Sequence, residues 1–253
     1  MLRSCVKSAF LSPMLSPVSG GGGGFTPADI TTLGWWDASD TSPTNIIQSG
    51  GLVSQITDIG TSGVEHLVQA NSSNRMSTGL QTINSLNALS SLTDDKFMFN
   101  GTFPIPASRN VSASMVAQID GQTTDTNASL VSMDASADWQ LNSDNGSVFD
   151  GELTSSNIGD GSIVLTGGPY TGSLVIWTLE FDLDNLTKSI YANGTLVGTG
   201  TYTGGMDLSQ SLRIFTNRAA SQFTFGLFGE MVIFEDLSQR GNVETYLTNK
   251  WMP

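Results

Sequence analysis

From Phe25 onward, apolar and polar residues alternate with a period of two, interrupted at short intervals by turn dipeptides. That period belongs to half-buried strands, whose successive side chains point to opposite faces. The clearest run is 173–202. There Trp177, Leu179, Phe181 and Leu183 alternate with Thr178, Glu180, Asp182 and Asp184. The first set is expected to face a core and the second to face water. Asp184-Asn185 supplies a turn, and a strand follows through Ile190-Tyr191. Asn193-Gly194 reads as a type I′ hairpin, because both central residues of that turn need positive φ. Leu196-Val197 then begins the return strand. Val111–Ile119, Ser162–Thr166, Leu212–Phe215 and Phe223–Phe234 read as further strands. A hairpin is expected within 139–149, turning at Asp144-Asn145-Gly146.

Helical spacing shows only near the end, at Val243, Tyr246, Leu247 and Lys250-Trp251. Ser238 is the expected N-cap of that helix and Leu237 its hydrophobic staple. One short helix after many short strands predicts an all-β, antiparallel two-sheet sandwich over residues 25–253. No repeat of 20–50 residues marks a propeller or solenoid.

Composition narrows the function. Charged residues make up 13% of the 253, with 33 Ser, 27 Thr and 28 Gly in their place. Such a chain favours strands and tight turns over helices. Ten Lys and Arg stand against 23 Asp and Glu, a net charge of −13. That field repels polyanions, so neither nucleic acid nor an anionic membrane surface is an expected partner. One His (His66) and one Cys (Cys5) are too few for a His/Cys zinc site, and no internal disulfide can form. His66 is expected as a strand residue rather than a base, and Cys5 as a buried thiol. Apolar runs are strand-sized, which excludes a helical membrane span.

Residues 1–24 stand apart. Arg3 and Lys7 precede a mildly apolar stretch, but Pro13, Pro17 and four serines from Ser8 to Ser19 interrupt it. The segment therefore reads as an extended arm rather than a cleaved signal, with Gly20–Gly24 as a hinge. Leu2, Val6, Phe10, Leu11, Met14, Leu15 and Val18 are more apolar side chains than a merely soluble tail would keep. They are expected to dock on another protein.

Several stretches resemble one family. Residues 177–200, with their FDLDN turn and IYANGTLVGTG hairpin, resemble the paired strands of concanavalin A-like jelly rolls of the LamG or pentraxin type. Residues 212–251 are similar to the family's usual ending, a strand returning to mid-sheet, a Leu-Ser turn and a helix closing on "YL..KW". LGWWDASD (33–40) and GLVSQITDIG (51–60) resemble the opening of such domains in bacteriophage and marine bacterial proteins. The resemblance implies a jelly-roll sandwich over about 26–253. It implies little about activity, since that fold hosts lectins, glycanases and structural modules.

Three functions follow as expectations. Jelly-roll glucanases carry a Glu-x-Asp-x-(x)-Glu strand motif. Glu180-Phe181-Asp182-Leu183-Asp184 departs from it at the last position, on a strand the resemblance implies is solvated. No enzyme activity is expected. For glycan binding, the candidates are Asp134, Asp138, Trp139, Asp144 and Asn145, which combine oxygen donors with an aromatic platform. The oxygen-rich 120–127 stretch is a further loop of this type. Trp35, Trp36 and Trp177 are expected in the core, and Trp139 too belongs to a class more often found in a core than as a stacking platform. No cofactor is required, and Ca²⁺ is the one such loops would suit, although none has the EF-hand order. Arm and body together read as a virion structural protein (head fibre, decoration or tail fibre component). Its arm would join capsid or tail proteins, and its lectin-like domain would meet a host glycan on the virion surface. The alternatives are a secreted or surface carbohydrate-binding module and, last, a jelly-roll glycoside hydrolase. Homo-oligomers are open, but no heptad enforces one.

Overall fold

The computed structural model describes residues 24–91, 95–104, 110–122, 128–133, 140–142, 152–154, 162–165, 170–182, 184–201, 209–217 and 219–253. Its strands are β1 (Thr32–Asp37), β2 (Ile46–Ser49), β3 (Leu52–Ile56), β4 (Leu67–Val68), β5 (Ser77–Ile83), β6 (Leu86–Ser91), β7 (Met98–Pro104), β8 (Val111–Gln122) and β9 (Ser129–Met133). Then come β10 (Gln140–Asn142), β11 (Glu152–Thr154), β12 (Ser162–Val164), β13 (Leu174–Asp182), β14 (Thr187–Ala192), β15 (Thr195–Thr201), β16 (Ser209–Ile214) and β17 (Thr224–Phe234). Helix α1 (Arg240–Trp251) follows. Every ladder between these strands is antiparallel.

The pairings divide into two layers. In the first, β17 lies between β8 and a split edge made of β1 and β6, and the order continues β8-β13-β14-β15. In the second, β3-β4-β7-β16-β9-β10-β11-β12 run side by side. β5 joins the layers through β3 and β6. The fold is thus an antiparallel β-sandwich with one short C-terminal helix, as the alternation implies. Trp36, Met98, Phe103, Met115, Trp177, Phe181, Ile214 and Phe228 fill its interior. Asn193 and Gly194 take φ of 50° and 76°, the values a type I′ turn requires.

The other face of the first sheet corrects the solvated-strand expectation. Ser114 and Thr178 are buried there, with their hydroxyls 3.0 Å apart. Helix α1 covers them. Val243, Leu247 and Trp251 pack on Val116, Ile176, Val232 and Phe234, and Phe25, Ile30, Trp35 and Tyr246 close the margins. Alternation along β13 marks two faces but not what a distant helix covers. Only Trp177, Leu179 and Phe181 of its inward set are described, and all three are buried.

The helix start also differs from expectation. Asp236 caps a short 3-10 turn ahead of α1, and the N-cap position of α1 itself is Gln239 rather than Ser238, with no side-chain cap. The Asp236 carboxylate accepts from Ser238 N (3.1 Å) and Ser238 Oγ (2.6 Å), organising a 3-10 turn at Leu237–Gln239 that runs into α1. Ser238 thus lies inside that turn, its hydroxyl engaged by the charged Asp236 acceptor instead of capping α1.

Candidate functional site

Two acidic centres and two clefts stand out among the described residues. The first centre is Glu230, fully buried beneath α1. Its Oε1 accepts from Trp35 Nε1 (2.6 Å) and Tyr246 OH (3.0 Å), and its Oε2 from Lys250 Nζ (2.7 Å) and Trp251 Nε1 (2.8 Å). Lys250 also donates to Asp37 Oδ2 at 2.6 Å. Four donors match the four lone-pair positions of a carboxylate. Burial and the Asp37 charge push Glu230 above the usual carboxylate range, against the pull of Lys250. Burial and Glu230 push the Tyr246 phenol upward as well. Nothing can reach this carboxylate, so it is a lock for the helix. The residues that lock it are the Trp35 and Asp37 of WWD and the Tyr246, Lys250 and Trp251 of the closing "YL..KW".

The second centre holds the carboxylates that resemble a glucanase motif. Glu180 sits 3.4 Å from Arg240 Nε, and Arg240 also donates to Glu244 Oε2 at 3.0 Å while lying over the Tyr191 ring at 3.9 Å. Burial raises the Glu180 carboxyl, partly offset by Arg240. Asp182 accepts from Asn185 N (2.9 Å) and Nδ2 (2.6 Å) at the turn, and Asp184 accepts from Asn110 Nδ2 (2.7 Å). The three carboxylates thus hold a helix, a turn and a loop. His66 precedes β4, and its Nδ1 accepts from Asp58 N at 3.1 Å. It is therefore a loop residue one position short of the strand where it was expected. The loop is organised by Asp58, which accepts from Trp35 N, Gly60 N and Glu65 N.

One cleft, of about 360 Å³, lies between the Asn193-Gly194 turn and α1, lined by Glu244, Thr245 and Thr248. Thr245 and Thr248 donate to helix carbonyls. The cation beside it, Arg240, already meets two carboxylates.

The other cleft, of about 290 Å³, opens where β5 leaves its neighbours, and Leu52, Arg75, Ser77, Leu80, Gln81, Ser90 and Lys96 line it. Its origin is local. Ser77 pairs with Ser90 and Gln81 with Ala88, so β5 carries two extra residues between those pairs. Gly79 takes φ +77°, a conformation glycine adopts without strain. Asn87 pins the bulge. Its Oδ1 accepts from Gly79 N (2.9 Å) and its Nδ2 donates to Ala38 O (2.6 Å). The excursion carries Leu80 into solvent, 75% exposed. Arg75 folds onto the preceding loop, donating to Gln69 O (2.9 Å) and Ala70 O (3.1 Å), and Lys96 donates to Ser73 O. The side chains of Ser77, Gln81 and Ser90 make no hydrogen bond among the described residues, and their polar atoms remain available to a ligand.

The expected glycan residues Asp134, Asp138, Trp139, Asp144 and Asn145, the hairpin turn at 144–146, the 123–127 stretch, and the arm residues Leu2, Val6, Phe10, Leu11, Met14, Leu15 and Val18 lie outside the described residues, as does Cys5. Trp36 and Trp177 are core residues, while Trp35 is half-buried in the lock. Among the described residues no group of three or more His, Cys, Asp or Glu side chains could hold a metal ion, and no helix is long and apolar enough to cross a membrane. Sequence reading missed the β5 cleft. Its available signal was Gly79 inside a strand-like run, which marks a bulge.

No protein-family model and no curated protein matches the chain. Solved structures do. Domain 4 of AbnA, a GH43 extracellular arabinanase from Geobacillus stearothermophilus, in complex with arabinotriose, matches with a TM-score of 0.55 at 15% identity, over 81% of this chain and 92% of that one. Trypanosoma rangeli sialidase matches with a TM-score of 0.58 at 12% identity, over 98% of this chain and 36% of the sialidase. The binding domain of botulinum neurotoxin DC in complex with SialylT matches with a TM-score of 0.56 at 12% identity, over 88% of this chain and 52% of that one. These likenesses show the sandwich fold. The chain spans nearly all of the arabinanase domain, about a third of the sialidase and about half of the toxin domain.

Proposed function

We propose that this chain is an extracellular, lectin-like carbohydrate-binding module that holds a glycan without cleaving it. The observation that carries the reading is the match over 92% of a separate domain solved with an oligosaccharide. The β5 cleft supplies a place for the sugar. Leu52 and Leu80 offer apolar contact to C–H faces, and Ser77, Gln81 and Ser90 offer donors and acceptors to hydroxyls. The carboxylates that resemble a glucanase motif are committed to Arg240, a turn and Asn110, which supports binding without hydrolysis.

The test is calorimetric titration of the full chain with an oligosaccharide panel, with and without Ca²⁺, alongside a reducing-end assay. Saturable binding with no new reducing ends is expected. Silence across the panel refutes the reading. Polysaccharide cleavage that Glu180→Gln abolishes would make the chain a hydrolase instead.

A second reading concerns display. The seven apolar side chains of residues 1–24, ahead of a glycine run, favour an arm that docks on a larger assembly. A bacteriophage virion, with the body as a head fibre, decoration or tail fibre component, is the assembly we propose. Deleting residues 2–19 should leave a folded β-domain that no longer joins it. Incorporation at normal occupancy would refute the arm.

A further inference from the structure

Resting on that carbohydrate reading, we propose that the β5 cleft selects anionic glycans, seating a sugar carboxylate or sulfate ester against Arg75 and Lys96. The argument begins with how this chain treats its cations. It has ten against 23 acids, so each cation has many carboxylates available to it. Among the described residues, Arg240 meets Glu180 and Glu244, and Lys250 meets Asp37 and Glu230. Lys188 and Arg213 are engaged by contacts of their own. Arg75 and Lys96 differ. Each bonds only to backbone carbonyls, and no described carboxylate lies within ion-pair distance of either. Carbonyl dipoles orient a cation without cancelling its charge. Both cations line one cleft, whose other described lining groups are neutral. A guanidinium has five N–H donors and an ammonium three. Arg75 spends two on carbonyls and Lys96 one, leaving donors for an incoming anion.

The overall charge of −13 sharpens the point. A protein this acidic repels an anionic ligand at long range, so binding one requires a local reversal of sign. Leu52 and Leu80 at the same cleft favour a ring with C–H faces over a bare inorganic anion. Ser77, Gln81 and Ser90 suit its remaining hydroxyls. The volume of about 290 Å³ is near the lower end for ligand pockets and fits a short stretch of chain rather than a buried polymer.

The experiment titrates the full chain with three oligosaccharides of matched length, one neutral, one uronate-bearing and one sulfated. Each is run at about 0.05 M and about 0.5 M salt, where the screening length shortens severalfold. At low salt one or both anionic ligands should bind roughly five-fold or more tighter than the neutral one. Which of them does so identifies carboxylate or sulfate as the recognised group. The advantage should shrink at high salt. Arg75→Gln and Lys96→Gln keep a donor for the loop carbonyls and remove the charge, so each should lower the anionic-to-neutral affinity ratio. Leu80→Asp and Leu80→Lys form a second pair at an exposed position where neither can unfold the domain. The Asp variant should weaken anionic binding relative to the Lys variant. Neutral binding as tight as anionic binding, or an anionic preference that ignores all four substitutions, overturns the inference and leaves the carbohydrate reading standing. Binding to none of the three ligands overturns both.

Discussion

The helix-covered face of the first sheet and the cleft beside β5 handle charge in opposite ways. Beneath α1, Glu230 meets four donors, and its cation Lys250 is shared with Asp37. Every polar atom of that carboxylate is matched and none is accessible. At the β5 cleft, Arg75 and Lys96 meet only carbonyls among the described residues, and the side chains of Ser77, Gln81 and Ser90 make no hydrogen bond among them. Desolvation explains the contrast. A buried charge is tolerated only when its hydrogen-bonding capacity is filled, whereas a charge at an open cleft keeps water and can trade it for a ligand. The saturated cluster beneath α1 is a structural lock, whereas the β5 cleft is where the proposed recognition would act.

The contrast can be broken in descending steps. Trp251→Ala removes a fully buried ring and one donor to Glu230, and should cost about 3–5 kcal/mol in denaturant unfolding. A loss below about 1 kcal/mol would mean the helix is not locked, and the comparison fails there. Lys250→Met should cost about 3 kcal/mol, because it leaves Glu230 buried without its cation. This variant also carries a pH signature. The folded-state pKa of Glu230 is raised. Its contribution to stability is therefore fully present below the ordinary carboxylate range and lost as pH rises through the raised value. Without Lys250 that loss with rising pH should steepen, and a flat pH profile for the variant would count against a locked carboxylate. The smallest effect is at Asp236, whose carboxyl is held below its ordinary value by hydrogen bonds from Ser238. A lowered pKa gives stability that is present above the ordinary value and lost as pH falls. Asp236→Ala should thus be slightly less stable than wild type near neutrality, with the difference vanishing in acid. A gap that persists at acid pH would assign the cap's effect to something other than charge.

Much of the architecture was legible in the residues, for identifiable reasons. Asn193-Gly194 is legible because few other pairs take two positive φ values cheaply. Two of the four stretches quoted for the resemblance, 33–40 and 212–251, supply every residue of the Glu230 lock. What was not legible depends on distance along the chain. Thr178 looks like an outward strand residue until α1, some sixty residues later, is laid over it. Arg75 and Lys96 lie 21 positions apart, flanking the β5-β6 hairpin, and no local pattern says they share a cleft. The bulge that opens the cleft needs Asn87 to hold Gly79, a pairing set by the hairpin rather than by β5 itself.

The place of β17 has a consequence for how the molecule comes into being. This strand runs between β8 on one side and β1 and β6 on the other, and α1 follows it directly. A nascent chain that has left the ribosome only as far as Ser221 exposes three strands whose shared neighbour does not yet exist. Their open edges are templates for pairing with other chains. The sandwich therefore closes only once residues 224–251 have emerged, and until then chaperone cover of those three strands should govern how much of this protein reaches its native state.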